Sequence, residues 1–351
     1  MKELCIKDIC KKDSSSLKQK DLHESGKYPV YGASGIAGYL DTYEQSKPYI
    51  AIVKDGSGIG RVSFQEAQSS LIGTMQYILP KEGYDIRYIG YCLQSLDLSK
   101  YKQGAAIPHI YFRDYGERKV NVTDKLSEQQ RIVSRLDAAF AHIDELKANA
   151  EKQLSEARVL FQKALEKAME PKEGWEEKKL PDISENLDSK RVPVTKKDRS
   201  NGIYPYYGAS GIVDYVNDYL FDEDLLCISE DGANLLMRTY PIAFPISGKV
   251  WVNNHAHVLR FKSMITQKYI EYYFNVLKLD EYITGAAQPK LTQKALNSIP
   301  IDIPKKIDDQ RRIVARLDSL SGHVRELEEI SKKTIAECDA LKQALLRKVF
   351  E

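Results

Sequence analysis

Three groups of residues have the types and spacing of reaction chemistry. Asp97, with Glu117-Arg118-Lys119 further on, has the acid, acid and lysine order that can hold a divalent cation and a water for phosphodiester cleavage. It has no counterpart in the second half of the chain, and among 50 acidic residues such an order arises easily by chance. His255-x-His257 puts two imidazoles on one face of a strand, which is half of a zinc site, but no third ligand follows at usable spacing. Gly56-x-Gly58-x-Gly60 has the look of a phosphate loop. No Lys-Ser/Thr follows it, and the matching stretch later keeps only Gly232, so a tight turn is the expectation. Five cysteines with no CxxC pair and no Gly-x-Ser-x-Gly leave neither a zinc framework nor a serine-hydrolase elbow. The expectation is a chain without catalytic residues or a bound metal. A nuclease using Asp97, Glu117 and Lys119 is the alternative.

The basic residues point elsewhere. Lys11, Lys12, Lys18, Lys20 and Lys27 precede one copy of a repeated turn. Lys190, Arg191, Lys196, Lys197 and Arg199 precede the other. Positive loops at equivalent places suit phosphate contacts, which position a protein on DNA without reading its sequence. The net charge is only +2. Residues 1–125 carry 18 basic against 15 acidic groups, and residues 171–307 carry 18 of each. A polyanion would therefore be held by local patches rather than by a general positive field.

The elements that must position these residues come in pairs. YPVYGASGIAGY from Tyr28 returns as YPYYGASGIVDY from Tyr204, 176 residues later. Each reads as strand, tight turn, strand. Asp55-Gly56 pairs with Asp231-Gly232 at the same shift, after the apolar strands at Tyr49 and Leu225. LIGTMQYILP (from Leu71) aligns with WVNNHAHVLR (from Trp251). The Tyr-rich helical runs IRYIGYCLQSL and QKYIEYYFNVL lead to Gly-Ala-Ala-x-Pro at Gly104 and at Gly285. The chain is a tandem duplication.

After each globular copy comes a long stretch without Pro and nearly without Gly. QQRIVSRLDAAFAHIDEL from Gln129 matches QRRIVARLDSLSGHVREL from Gln310, at a shift of 181. Leu136, Ile143, Ala150, Ala157 and Ala164 recur at sevens, as do Leu317, Val324, Ser331, Cys338 and Leu345. Phe140, Leu146, Leu154, Leu160, Phe161, Leu320, Leu327 and Leu341 flank them. A period of seven predicts a coiled-coil seam. If the second helix packs along the first, connectivity makes it run back, so the pair is expected to be antiparallel. The expected class is α+β, with a pseudo-two-fold tandem repeat. Residues 1–125 and 171–307 are two similar globular domains, separated by an antiparallel coiled coil of helices 126–170 and 308–351. No apolar run reaches the length of a membrane span and the first residues lack a signal-peptide core, so a cytoplasmic location is expected.

The repeated turns, the pairs GAAIPHI and GAAQPKL, and the pair QQRIVSRLD and QRRIVARLD resemble, in this order, the specificity subunit of type I restriction–modification systems. The resemblance covers nearly the whole chain. It implies two target-recognition domains, each reading one half of a bipartite asymmetric site in double-stranded DNA. It implies helices that set the gap and dock two modification (methyltransferase) subunits, which restriction (translocase–nuclease) subunits can join. S-adenosylmethionine would sit on the methyltransferase and ATP on the restriction subunit, with no cofactor on this chain. Positions where the copies differ are the candidate base readers: Lys54, Ser57, Arg61, Gln76 and His109 in the first copy, and Asn234, Arg238, His255, His257, Gln288 and Lys290 in the second. Arg suits guanine, and Asn or Gln suits adenine. Ser34 and Ser210 in the repeated turns, with Lys18, Lys20, Lys190, Arg191, Lys196 and Arg199, complete the expected DNA surface. A structural coiled-coil adaptor whose globules bind protein is the third reading.

Overall fold

The computed structural model describes residues 1–104, 108–285 and 287–351. Ala105–Ile107 and Ala286, inside the two Gly-Ala-Ala-x-Pro motifs, lie outside the described residues. The chain forms two compact units, Met1–Lys152 with Ile330–Glu351, and Gln153–Glu329. Two long helices, Leu126–Ala168 and Ile307–Phe350, each contribute a segment to both. Among the described residues no helix is long and apolar enough to cross a membrane.

In the first unit, β1 (Lys2–Cys5) pairs antiparallel with β9 (Lys119–Val122) and so joins the start of the globule to its end. Four strands, β2 (Cys10–Ser14), β5 (Tyr49–Val53), β6 (Val62–Gln65) and β8 (Met75–Pro80), form a sheet in the order β2-β8-β5-β6. A second sheet, β4-β3-β7, is built from β3 (Tyr28–Gly32), β4 (Gly35–Leu40) and β7 (Ser70–Leu71). Its β3–β7 pair is parallel. Strand β5 is apolar along its whole length because both of its faces are covered. Ile50 and Ile52 face the core beneath helix Ile86–Ser95, while Tyr49, Ala51 and Val53 face the core shared with Leu71, Met75 and Tyr77. Period-two alternation thus divides one strand between two cores.

The second unit repeats this plan. Its strands are β10 (Trp175–Lys178), β11 (Ser184–Asn186), β12 (Asn201–Gly208), β13 (Gly211–Val216), β14 (Phe221–Asp222), β15 (Leu225–Ser229), β16 (Ala243–Ile246), β17 (Lys249–Val252), β18 (Ala256–Phe261) and β19 (Ile301–Pro304). The sheets are β11-β18-β15-β16, β13-β12-β17-β14 and β10-β19. Leu226 and Ile228 of β15 face one core, and Leu225 and Cys227 face the other.

The repeated QxRIVxRLD motif fixes each long helix to its globule. Gln129 is buried. Its amide accepts from the Asp85 amide (2.7 Å) and donates to the Gly83 and Thr123 carbonyls (3.0 and 2.9 Å). Gln310 likewise accepts from Thr266 (2.9 Å) and donates to the Pro304 carbonyl (2.8 Å). Asp137 accepts from Arg87 (2.8 Å) and Tyr91, and Asp318 accepts from Tyr272 (2.6 Å). The motif therefore repeats because each helix must leave its globule at the same place.

The helices run antiparallel within each unit. In the first, Lys147 pairs with Asp339 (3.1 Å) and Lys342 with Asp144 (2.5 Å). In the second, Arg158 pairs with Glu328 (2.5 Å). Leu136, Ile143 and Leu317 are buried, and Leu154, Val324, Leu327 and Leu345 are half-buried. Three of the apolar residues expected along the seam are not in it. Leu146 is 57% exposed, Leu160 67% and Leu341 49%. The row through 136, 143 and 150 alternates with one through 140, 147 and 154, so Leu146 lies one residue, about 100°, off the inner face. Lys147 and Lys342 hold the inner positions, and each reaches an aspartate across the seam.

Candidate functional site

The sheets β2-β8-β5-β6 and β11-β18-β15-β16 each end in a set of loops tied together by the same backbone hydrogen bonds. In the second unit, β15 runs into Glu230-Asp231-Gly232. The Glu230 amide donates to the His255 carbonyl (2.9 Å), the Leu291 amide to Glu230 (2.7 Å) and the Gly232 amide to Pro289 (2.9 Å). In the first unit, the Lys54 amide donates to Thr74 (3.0 Å), the Ile110 amide to Lys54 (3.0 Å) and the Gly56 amide to Pro108 (3.2 Å). The repeated turn joins this end of the sheet as well. The Ile72 amide donates to Tyr31 (2.9 Å) and the Asn253 amide to Tyr207 (3.1 Å). The Arg61 guanidinium caps the Ala33 carbonyl (2.9 Å), and the Ser229 hydroxyl caps that of Ala209 (2.5 Å). Gly56, Gly58 and Gly60 all have φ near +80 to +85°, so the glycine run is a tight left-handed turn between β5 and β6.

On this shared backbone the side chains differ. In the first unit Asp55 lies between Lys54 (2.9 Å) and His109. In the second, Asp231 takes its histidine from the other flank, His255 Nδ1 at 2.8 Å. Lys290 stands at the position of His109 and reaches Glu230 (3.1 Å). A cleft of about 650 Å³ opens beside this pair, lined among others by Arg199, Tyr206, Ala209, Asp231, Asn253 and His255.

Behind the cleft is a buried charged network that the sequence did not disclose. Asp188 accepts from His257 Nδ1 (2.6 Å) and from the Val258 amide (2.8 Å). His257 Nε2 donates to the Leu291 carbonyl (2.8 Å). Arg191 donates to Glu230 (2.7 Å) and to the Ala256 carbonyl (2.7 Å). Burial pushes the Asp188 carboxyl up, but its hydrogen bond and charge contact with His257 outweigh that and hold it below the ordinary carboxylate range. Glu230 is also held low, its burial outweighed by the hydrogen bond from Arg191 and the charge of His257. Donor atoms of Asp188, Glu230 and His257 lie within 4.8 Å of one another, close enough for a metal. Arg191 and Lys290 already neutralise both carboxylates, so the trio does not fit a divalent cation. The available signal was a glutamate two residues after the apolar run 225–228, which has to find a buried partner.

Several expected readers are corrected by their surroundings. Gln76 is buried and donates to the Tyr115 hydroxyl (2.6 Å), and His257, at the equivalent strand position, is fully buried. Neither has a surface to offer a base. Arg191 belongs to the network just described. Arg199 is bound to the Val194 carbonyl (3.1 Å) and Asp214 (3.1 Å) and lies over the Tyr206 ring, so it braces its loop instead of meeting phosphate. Arg238 donates to the Phe274 and Leu277 carbonyls at a helix C-terminus (3.0 and 2.6 Å). Asn234 uses both ends of its amide on Tyr240. Ser34, Ser57, Arg61, Lys190, Lys196, Ser210, His255, Gln288 and Lys290 are exposed, and Lys54 and His109 are half-buried beside Asp55. Lys18 and Lys20 are exposed on a separate turn that Gln19 ties to Ala37 (2.8 Å). The proposed nuclease set does not assemble. Glu117 pairs with Lys7 (2.6 Å), Lys119 with Glu3 (2.8 Å), and Asp97 accepts from Ser99 (2.5 Å).

The sequence matches the family described as the type I restriction modification DNA specificity domain twice, over residues 1–156 and 172–337. A putative type I restriction enzyme specificity subunit of Haemophilus influenzae, S.HindORF215P, is 35% identical over 158 residues, covering 45% of this chain and 40% of that protein. The EcoprrI specificity subunit of Escherichia coli is 25% identical over 141 residues, covering 40% of this chain and 33% of that protein. The chain thus spans about two fifths and one third of these curated relatives. The solved HsdS subunit from Thermoanaerobacter tengcongensis is 16% identical, with a TM-score of 0.55, over 99% of this chain and 96% of that one. A chain from a structure addressing complex assembly and conformational transition of the type I R-M system is 15% identical, with a TM-score of 0.72, over 99% and 97%. At these identities the structural likeness is one of fold.

Proposed function

The chain belongs to the type I restriction–modification DNA specificity family, and on that premise we propose that it is the non-catalytic DNA-reading subunit of such a complex. Each globule, residues 1–125 and 171–307, reads one half of a bipartite, asymmetric duplex site. The helices 126–170 and 308–351 fix the gap and dock two methyltransferase subunits, which carry S-adenosylmethionine. Restriction subunits carrying ATP join that assembly in the cytoplasm. The observation that carries this reading is the repeated end of the sheet: the same backbone hydrogen bonds around Lys54-Asp55-Gly56 and Glu230-Asp231-Gly232, bearing different side chains. A shared frame with different polar edges is what two readers of different sequences require.

The proposed contacts follow from exposure. Ser57 and Arg61 in the first unit, with His255, Gln288 and Lys290 in the second, are the candidate base readers, and the half-buried Lys54 and His109 stand behind the first set beside Asp55. Lys18, Lys20, Lys190 and Lys196, with Ser34 and Ser210 on the turns, are the phosphate contacts. The test is selection of bound duplexes from a randomised library by the chain with its methyltransferase, followed by methylation-aware sequencing of cells with and without the chain. A bipartite consensus with two unlike halves is expected. Selection of no consensus, or metal-dependent cleavage by the isolated chain, would sink the proposal. Lys190→Ala with Lys196→Ala should weaken binding equally across sequences and lower the salt slope by roughly one per lost contact. A changed consensus would contradict a phosphate role for these lysines.

A further inference from the structure

The loop from β15 to β16, residues 230–242, is 13 residues long against eight in its first-unit counterpart, the glycine turn 54–61. Among large apolar residues that turn carries only Ile59, which is packed against the core. The second-unit loop carries Leu236, Met237 and Tyr240, which are 50%, 71% and 61% exposed. This exposure is built into the loop. Leu235 is turned into the core, Asn234 closes the loop through both ends of its amide on Tyr240, and Arg238 holds the rear to the Phe274 and Leu277 carbonyls. Arg238 adopts a left-handed backbone (φ 51°), an unfavourable conformation for a bulky residue, which its two hydrogen bonds hold in place.

The loop also starts inside the candidate DNA surface. It leaves Asp231, whose carboxylate holds His255, and Gly232, whose amide is tied to Pro289. If two copies of one methyltransferase bind this repeated chain, their docking surfaces should recur in both units, and this loop does not recur. What differs between the units under the proposed function is the half-site. We propose that Leu236, Met237 and Tyr240 form an apolar base-edge reader that recognises thymine methyl groups in the major groove of the second unit's half-site. This inference rests on the DNA-reading function proposed above. Thymine alone presents a methyl group in that groove, and apolar side chains are its natural partners.

The test uses the full chain with its methyltransferase and the randomised duplex library. Leu236→Ser/Met237→Ser should keep the first half-site and the gap, and lose a thymine preference at one or two positions of the second half-site. Met237→Leu should keep the wild-type consensus. In a separate arm, the consensus duplex with those thymines replaced by deoxyuridine should bind the wild-type chain roughly fourfold more weakly per methyl, the equivalent of burying one methyl-sized group. That arm needs no variant and is independent of any folding defect. An unchanged consensus in the serine variant, or equal binding of thymine and deoxyuridine duplexes, would overturn the inference. So would loss of methyltransferase co-purification with the consensus intact, which would make the loop a protein dock. If the wild-type chain selects no bipartite site, the proposed function has failed instead, so the two failures are distinguishable.

Discussion

Arg191 shows how a single residue can mislead a sequence reading. In the chain it is one of five positive residues in a polar loop, and charge alone assigned it to phosphate. In the fold its guanidinium is bound by Glu230, Asp188 and the Ala256 carbonyl. The counter-charges are 3 and 39 residues away, and nothing in composition or periodicity marks them as neighbours. Removing Arg191 leaves two carboxylates buried with too little compensation. Arg191→Ala should therefore destabilise the second unit by roughly 3–5 kcal/mol, read as a shifted urea midpoint. A loss of DNA affinity with that midpoint unchanged would restore Arg191 to the DNA surface. The same network sets an acid limit. The folded-state value of Asp188 is depressed below the ordinary carboxylate value of about 3.9, so its contribution is complete above that pH and is lost as pH falls through the lower folded value. Stability measured from pH 6 downward should fall less steeply for Asp188→Asn than for wild type below about pH 4. Equal slopes would remove Asp188 from the acid response.

At the scale of elements, the long helices were the most legible part of the chain. Their sevens predicted Leu136, Ile143 and Leu317 as inner residues, and these are buried. The flanking row was less legible. Apolar type suggested Leu146 and Leu341, whereas helical phase puts the lysines at 147 and 342 on the inner face. A long side chain can lay its stem on apolar surface and carry its charge to an aspartate opposite, so type and position part company there. Leu136→Asp or Leu317→Asp should cost at least the about 2–5 kcal/mol of a core leucine truncation, because the carboxylate must also be desolvated. Leu146→Asp or Leu341→Asp should change folding stability by less than about 0.5 kcal/mol. Thermal midpoints of the four variants decide it, and equal losses at all four would put Leu146 and Leu341 back in the seam. The strands were legible for a related reason. The unbroken apolar runs at Tyr49 and Leu225 mean burial on two faces, and each strand is divided between two cores. What the runs could not show was which polar loop residues their ends would gather.

For the whole molecule, the duplication is the governing fact, and it was fully visible. The 176-residue shift of the turns and the 181-residue shift of the helix motifs reappear as matched hydrogen bonds at Gly56 and Gly232 and at Gln129 and Gln310. Repetition of the frame separates two kinds of position under the proposed function. Residues that recur serve what both halves do, such as leaving for a helix or docking a common partner. Residues that differ serve what each half does alone. The spacer role proposed for the helices belongs to the first kind and can be tested at this scale. Seven residues inserted into each helix keep the phase of the seam and add about 10 Å of helix at 1.5 Å per residue. With duplex DNA rising about 3.4 Å per base pair, the selected consensus should keep both half-sites and lengthen its gap by about three base pairs. Adding four residues instead breaks the phase and should cost assembly as well as spacing. An unchanged gap after the heptad insertion, with both halves still recognised, would mean that the spacing is set by the partner subunits and not by these helices.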